Sequence, residues 1–136
     1  MPYFKQEILE ASNQKGDLNS TEYTDALKKS TSAREILDKL MNDHKLDVIC
    51  AVSYGIPGCT DVINGDYSTG FYFASPAAMA GFPHITVPMG HVHDLPVGFS
   101  VMGRAYEEEK IISVAYAYEQ ASKKRKAPKF LQTFSA

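Results

Sequence analysis

The chain has 136 residues, 44% apolar and 22% charged, with two cysteines and a formal net charge of −2. This balance suits one domain with a sizeable core, here read as residues 1–136 with a basic tail at 123–136, and it excludes a disordered chain, a collagen-like repeat and a disulfide scaffold. The tail holds five bases and no acid, which leaves sixteen acids against nine bases (−7) before it, so the body of the chain would repel a phosphate backbone.

The first third reads as helix. Phe4, Ile8 and Leu9 share a helical face that Lys15-Gly16-Asp17 ends, with Gly16 free to take a left-handed cap. Ser20-Thr21-Glu22 offers hydroxyls for a new N-cap, and Tyr23 and Leu27 then fall on one side. A third helix is predicted over Thr31–Asn42, where Ala33, Ile36, Leu37, Leu40 and Met41 form an apolar stripe. Leu46 to Val52 reads as a short strand buried on both faces, with Cys50 a small buried apolar residue. Residues 53–72 form a long loop rich in Gly, Ser, Thr, Asp, Asn and Tyr, and loops of that length usually carry function. Ser75-Pro76 reads as an N-cap followed by proline at the first helical position, opening a short helix that Gly81 closes. Two strands follow, His84–Pro88 and Pro96–Met102, joined in a hairpin-like way through Met89–Leu95. Pro88 forfeits a ladder hydrogen bond, so its strand should end there or lie at an edge; Gly98 permits close approach by a neighbour. A last helix begins near Glu107, Glu108 and Glu109, whose charges suit its dipole, and runs to about Ser122.

Four ordered motifs then carry a family resemblance. Ala80-Gly81-Phe82-Pro83, Val87-Pro88-Met89-Gly90, Leu95-Pro96-Val97-Gly98 and Gly103 resemble, in order, the C-terminal region of the amidase signature family. Leu46-Asp47 opening a strand, the closing helix and the RKAPKF tail are similar to the same region. The resemblance implies an α/β fold, a small mixed sheet flanked by helices, forming a C-terminal piece of the amidase signature fold. It also implies hydrolysis of a carboxamide or acylamide through a serine nucleophile, a second serine and a lysine base, with amide donors for the oxyanion and no cofactor. This chain has no GGSSGG-like run, and none of its eleven serines lies in a Gly-Ser-Ser context. No catalytic residue transfers to it, and alone it should be inactive. It reads as the last quarter to third of such an enzyme.

By the same resemblance the stretch Asn64–Phe73 lines the substrate pocket, with Thr69, Gly70, Phe71 and Tyr72 as candidate pocket residues. In the glutamine-using branch that acts on transfer RNA, an aspartate about nine residues before the Ala-Gly pair grips the substrate's amino group. The ninth residue before Ala80 is Phe71, which implies an uncharged or aromatic amide instead. The plainer reading of Phe71, Tyr72 and Phe73 is core packing. The partners implied are a small-molecule amide and a missing N-terminal catalytic portion, or self-association, because cutting a larger sheet should leave an open edge and expose Ile49, Ile85 and Phe99. The alternative is a non-catalytic binding module derived from an amidase.

Three other constellations compete. His91-x-His93 with Asp94, and His84 nearby, could start a zinc site, but no convergent further ligand is marked and a turn explains them. Cys59 near Asp61, with His84 downstream, lacks any feature that places imidazole beside the thiol. The run Lys123-Lys124-Arg125-Lys126 could bind RNA, yet a basic helix end is ordinarily a solvated cap, so nucleic acid is not expected. No stretch approaches the ~20 apolar residues of a membrane helix, and the polar first thirty residues lack a secretory signal; a cytoplasmic location is expected.

Overall fold

The structure is a computed structural model that describes residues 5–66 and 71–130. In chain order it contains α1 (Glu7–Asn13), α2 (Thr21–Asp43), β1 (Ile49–Val52), α3 (Ala74–Ala80), β2 (His84–Val92), β3 (Leu95–Met102) and α4 (Glu108–Ser122). Among the described residues no helix is long and apolar enough to cross a membrane.

Of the apolar face expected on the first helix, Ile8 and Leu9 fall on α1, while Phe4 lies outside the described residues. Ser20 caps α2 as its hydroxyl predicts, accepting from the Tyr23 amide at 3.3 Å. The two helices expected over residues 20–42 are one. No glycine or proline interrupts Lys28-Lys29-Ser30, and the hydroxyls of Thr31 and Ser32 donate back to the Leu27 and Lys29 carbonyls, so the backbone turns continue unbroken. The helix ends in a Schellman arrangement. Leu46 N–H donates to the Met41 carbonyl at 2.8 Å and Lys45 N–H to Asn42, with Lys45 left-handed at φ 51° where glycine is usual. Gly16 is not left-handed; α1 ends through Gln14 and Lys15 amides that reach back to Glu10 and Ser12. In α3 the expected Ser75 cap is also displaced, because the helix starts at Ala74 with Phe73 at the N-cap. At its other end Gly81 takes the left-handed cap (φ 68°), and Arg34 Nε from α2 donates to the Ala80 carbonyl at 2.9 Å.

The helices flank a small sheet of order β1-β3-β2. Both pairings are antiparallel, so among the described residues the sheet is antiparallel throughout rather than mixed. The reason is connectivity: β2 and β3 form a hairpin, and β1 joins the far side of β3 running opposite to it. The hairpin turn is tighter than the sequence suggests. β2 continues to Val92, and His93-Asp94 alone makes the turn, both at positive φ (48° and 64°) as a two-residue loop of the twist-matching kind requires. Pro88 does lie on an edge strand, and the register slips between Pro88 and Gly90, leaving Met89 as a bulge.

Alternation fixes two faces. Ile49, Met102 and His84 share one face with Ala51, Ser100 and Thr86, by register. There Met102 joins Phe73, Ala77, Ala80 and Phe82 in a core that Leu37 of α2 packs against. The opposite face carries Val101 and Phe99 under α4, whose Tyr118 ring stacks on Phe99 at 4.1 Å and whose Ile111 and Ala115 are buried. β1 is not buried on both faces. Its burial alternates, and Cys50 and Val52 are exposed because α4 packs over β2 and β3. Ile49, Ile85 and Phe99, expected to be exposed, are half-buried.

Candidate functional site

Beyond Val52 the chain leaves the sheet for the long loop and returns at Phe71. Three backbone hydrogen bonds close the base of this excursion. Ser53 N–H donates to the Gly98 carbonyl (2.8 Å), Gly55 N–H to Phe71 (3.2 Å) and Phe73 N–H to Ser53 (3.1 Å). Tyr54 and Tyr72 form an isolated antiparallel bridge, their rings edge to face at 5.8 Å.

This pairing splits the three aromatics that sequence groups together. Phe73 turns inward, 8% exposed, and packs in the core beside the His84 ring at 5.9 Å. Phe71 and Tyr72 are 57% and 58% exposed, with Phe71 stacked on Phe73 at 6.1 Å. Core packing therefore explains only Phe73. Thr69 and Gly70 lie outside the described residues.

Beside this base opens a groove of about 410 Å³. Its polar lining includes the hydroxyls of Ser53 and Thr86, which meet behind the groove at Ser100 to make a trio with one hydroxyl from each strand region. Ser100, fully buried, donates to Ser53 Oγ at 2.7 Å and shares a 2.8 Å hydrogen bond with Thr86 Oγ1. Its walls include Tyr54, Val87, Val97 and three prolines. The trio fits only because residue 98 is glycine: a Cβ there would lie 2.5 Å from Ser53 Oγ and 2.6 Å from Thr86 Cγ2. Sequence reasoning does not single out these hydroxyls. Ser100 is the lone hydroxyl in an apolar strand run, a signal without a partner until the strand register is known.

The remaining candidates disperse. His84 faces the core, and burial holds its imidazole below the ordinary value; Nε2 is buried without a partner among the described residues. His91 and His93 belong to the hairpin, and among the described residues no group of three or more His, Cys, Asp or Glu could hold a metal. Asp94 bonds instead to Lys129 at 2.9 Å, which lowers its carboxyl and ties the basic tail to the hairpin tip. Asp61, beside exposed Cys59, accepts from the Asn64 and Ile63 amides and the Asn64 side chain. Those bonds, Asn64's backbone first, lower its pKa and make it the organiser of a turn. Cys50, exposed but flanked by the strand, has its thiol pushed up by partial desolvation.

No family model matches the chain. A probable amidase from Arabidopsis thaliana is 30% identical over 127 residues, 93% of this chain and 22% of that protein. A glutamyl-tRNA(Gln) amidotransferase polypeptide from Methanospirillum hungatei is 51% identical over 45 residues, 33% of this chain and 10% of that one. The solved peptide amidase from Stenotrophomonas maltophilia superposes with a TM-score of 0.82 at 34% identity, over 93% of this chain and 26% of its own. The chain thus spans about a quarter or less of the length of these relatives. Carrying the Ala80-Gly81, Val87-Pro88, Leu95-Pro96-Val97-Gly98 framework on the matching fold, it belongs to the amidase signature family as a portion of that family's structure.

Proposed function

We propose that this chain forms one wall of the substrate pocket in an amidase-signature hydrolase that cleaves a carboxamide or acylamide bond. Hydrolysis would run through a serine-linked acyl intermediate, with the two serines and the lysine base supplied by residues outside these 136. The observation that carries the reading is the pinned aromatic pair. Phe71 and Tyr72 stand more than half exposed on a base fastened by backbone hydrogen bonds, next to a groove without charged lining among the described residues. Such a wall excludes water and orients an apolar group on the substrate, which raises the fraction of productive encounters at a nucleophile held elsewhere. By the family resemblance Phe71 stands where the glutamine-using branch needs an acid, so an uncharged amide is the preferred substrate class. Likeness to a peptide amidase over nearly the whole chain supports C–N hydrolysis.

The test is a chimera in which this chain replaces the matched quarter of the Stenotrophomonas enzyme. It should hydrolyse neutral aromatic carboxamides, and Phe71→Asp should lower kcat/KM on them about tenfold, mainly through KM. The 136-residue chain alone should show no amide hydrolysis above background. Turnover by the isolated chain that scales with its concentration, or a chimera indifferent to Phe71, would overturn the proposal.

A further inference from the structure

Taking the pocket-wall reading as given, we propose that Ser53 Oγ is a hydrogen-bond donor for a carbonyl oxygen of an uncharged amide ligand seated in the groove. The protons of the trio leave one hydroxyl without a good acceptor. Three hydroxyls carry three hydrogens. Ser100 donates its own to Ser53 at 2.7 Å, so the 2.8 Å contact between Ser100 and Thr86 must use the Thr86 proton. That polarity leaves the Ser53 proton. Within the trio its acceptor is Thr86 Oγ1 at 3.4 Å, well beyond the ~2.7–2.8 Å of a good O–H···O bond. A chain of donors therefore runs Thr86 to Ser100 to Ser53 and ends, among the described residues, in a proton with no good acceptor, at a residue that lines the groove. Because Ser100 is fully buried, each donation polarises the next, which makes the terminal hydroxyl a better donor than an isolated serine.

The surroundings define what the donor meets. No Asp, Glu, Lys, Arg or His lines the groove among the described residues, so a charged ligand would lose hydration without compensation. Pro57, Pro88 and Pro96 have no N–H, leaving few rival donors on the walls. The fitting chemistry is a neutral carbonyl on an apolar frame.

Two probes, benzamide and its weaker-accepting analogue thiobenzamide, test this by amide-resolved NMR titration of the 136-residue chain. Benzamide should shift the resonances of Ser53, Thr86 and Gly98 and bind about fivefold tighter than thiobenzamide, a ratio matching one neutral hydrogen bond. Ser53→Ala should erase the ratio; because the comparison is made between two probes on one protein, it does not depend on the variant's overall stability. Shifts that avoid the groove, or a preference that survives Ser53→Ala, would overturn the assignment. The readout involves no turnover, so it stands or falls separately from the chimera's activity. A carbonyl of the polypeptide completing the fold offers the same chemistry, and the chimera separates the two. Ser53→Ala raising KM for amides supports the small-molecule role. The same variant lowering only the melting temperature, with KM unchanged, would assign the donor to the polypeptide and overturn it.

Discussion

A Cβ on Gly98 would meet two side chains at once, Ser53 from β1's extension and Thr86 from β2. Both are anchored by strand pairing, so neither can withdraw without breaking the hydroxyl trio. Gly98→Ala should therefore destabilise by about 1–3 kcal/mol through overpacking, measured by urea unfolding. His84 makes a second residue-level prediction. Burial lowers its folded pKa below 6.5, so the unfolded chain binds the proton more readily. Stability is then fully present above about pH 6.5 and declines as the pH falls through that value toward the folded pKa. Melting temperatures from pH 8 to 5 should show this decline, and His84→Phe should flatten it.

At the scale of elements, the positions that local chemistry controls are legible in the sequence. Ser20 before a periodic run, Gly81 after Ala80 and Pro88 on an edge are each decided by a hydroxyl, a missing Cβ or a missing N–H. A boundary that rests on weak signals misleads: the apolar stripe from Ala33 to Met41 suggests a separate helix opening at Thr31, yet α2 runs through that point. The hydroxyl trio is illegible because its members meet only through cross-strand register: Thr86 opposes Ser100 through a two-residue turn lacking the usual glycine and a bulge at Met89, and Ser53 arrives through the separate pairing of β1 with β3. In the candidate site, Phe71 and Tyr72 are exposed and Phe73 is buried, a distinction that three consecutive aromatics do not carry in their spacing. The α2 terminus offers a clean test of the element's own energetics. Lys45 holds a left-handed φ with a side chain, so Lys45→Gly should stabilise the chain by about 1 kcal/mol, read from chemical denaturation.

Among the described residues much of the helical surface is unpartnered. α2 buries only Met41, while Ile36 is 65% exposed, and Ile8 and Leu9 of α1 are 77% and 69% exposed. The two sheet edges also differ. β2 is blunted by Pro88 and its bulge, whereas β1 presents Ile49–Val52 with neither proline nor lysine. Apolar helix faces and an undefended strand edge together favour association. Light scattering over a concentration series should show a mass that rises above 15.0 kDa, and Cys50→Pro, at a position whose N–H faces away from β3, should reduce the rise by removing a donor from that edge. A constant monomer mass at all concentrations would show that these surfaces are tolerated in water.

The closed base of the loop at Ser53–Gly55 and Phe71–Phe73 bears on how such a protein can diversify. Its fastening is made by main-chain groups, which are the same whatever side chains lie between. Lengthening the excursion then changes mainly the closure entropy, and doubling it adds only about 0.6 kcal/mol. New loop sequences can accordingly be sampled over a fixed core, between two ends that the main chain alone holds together.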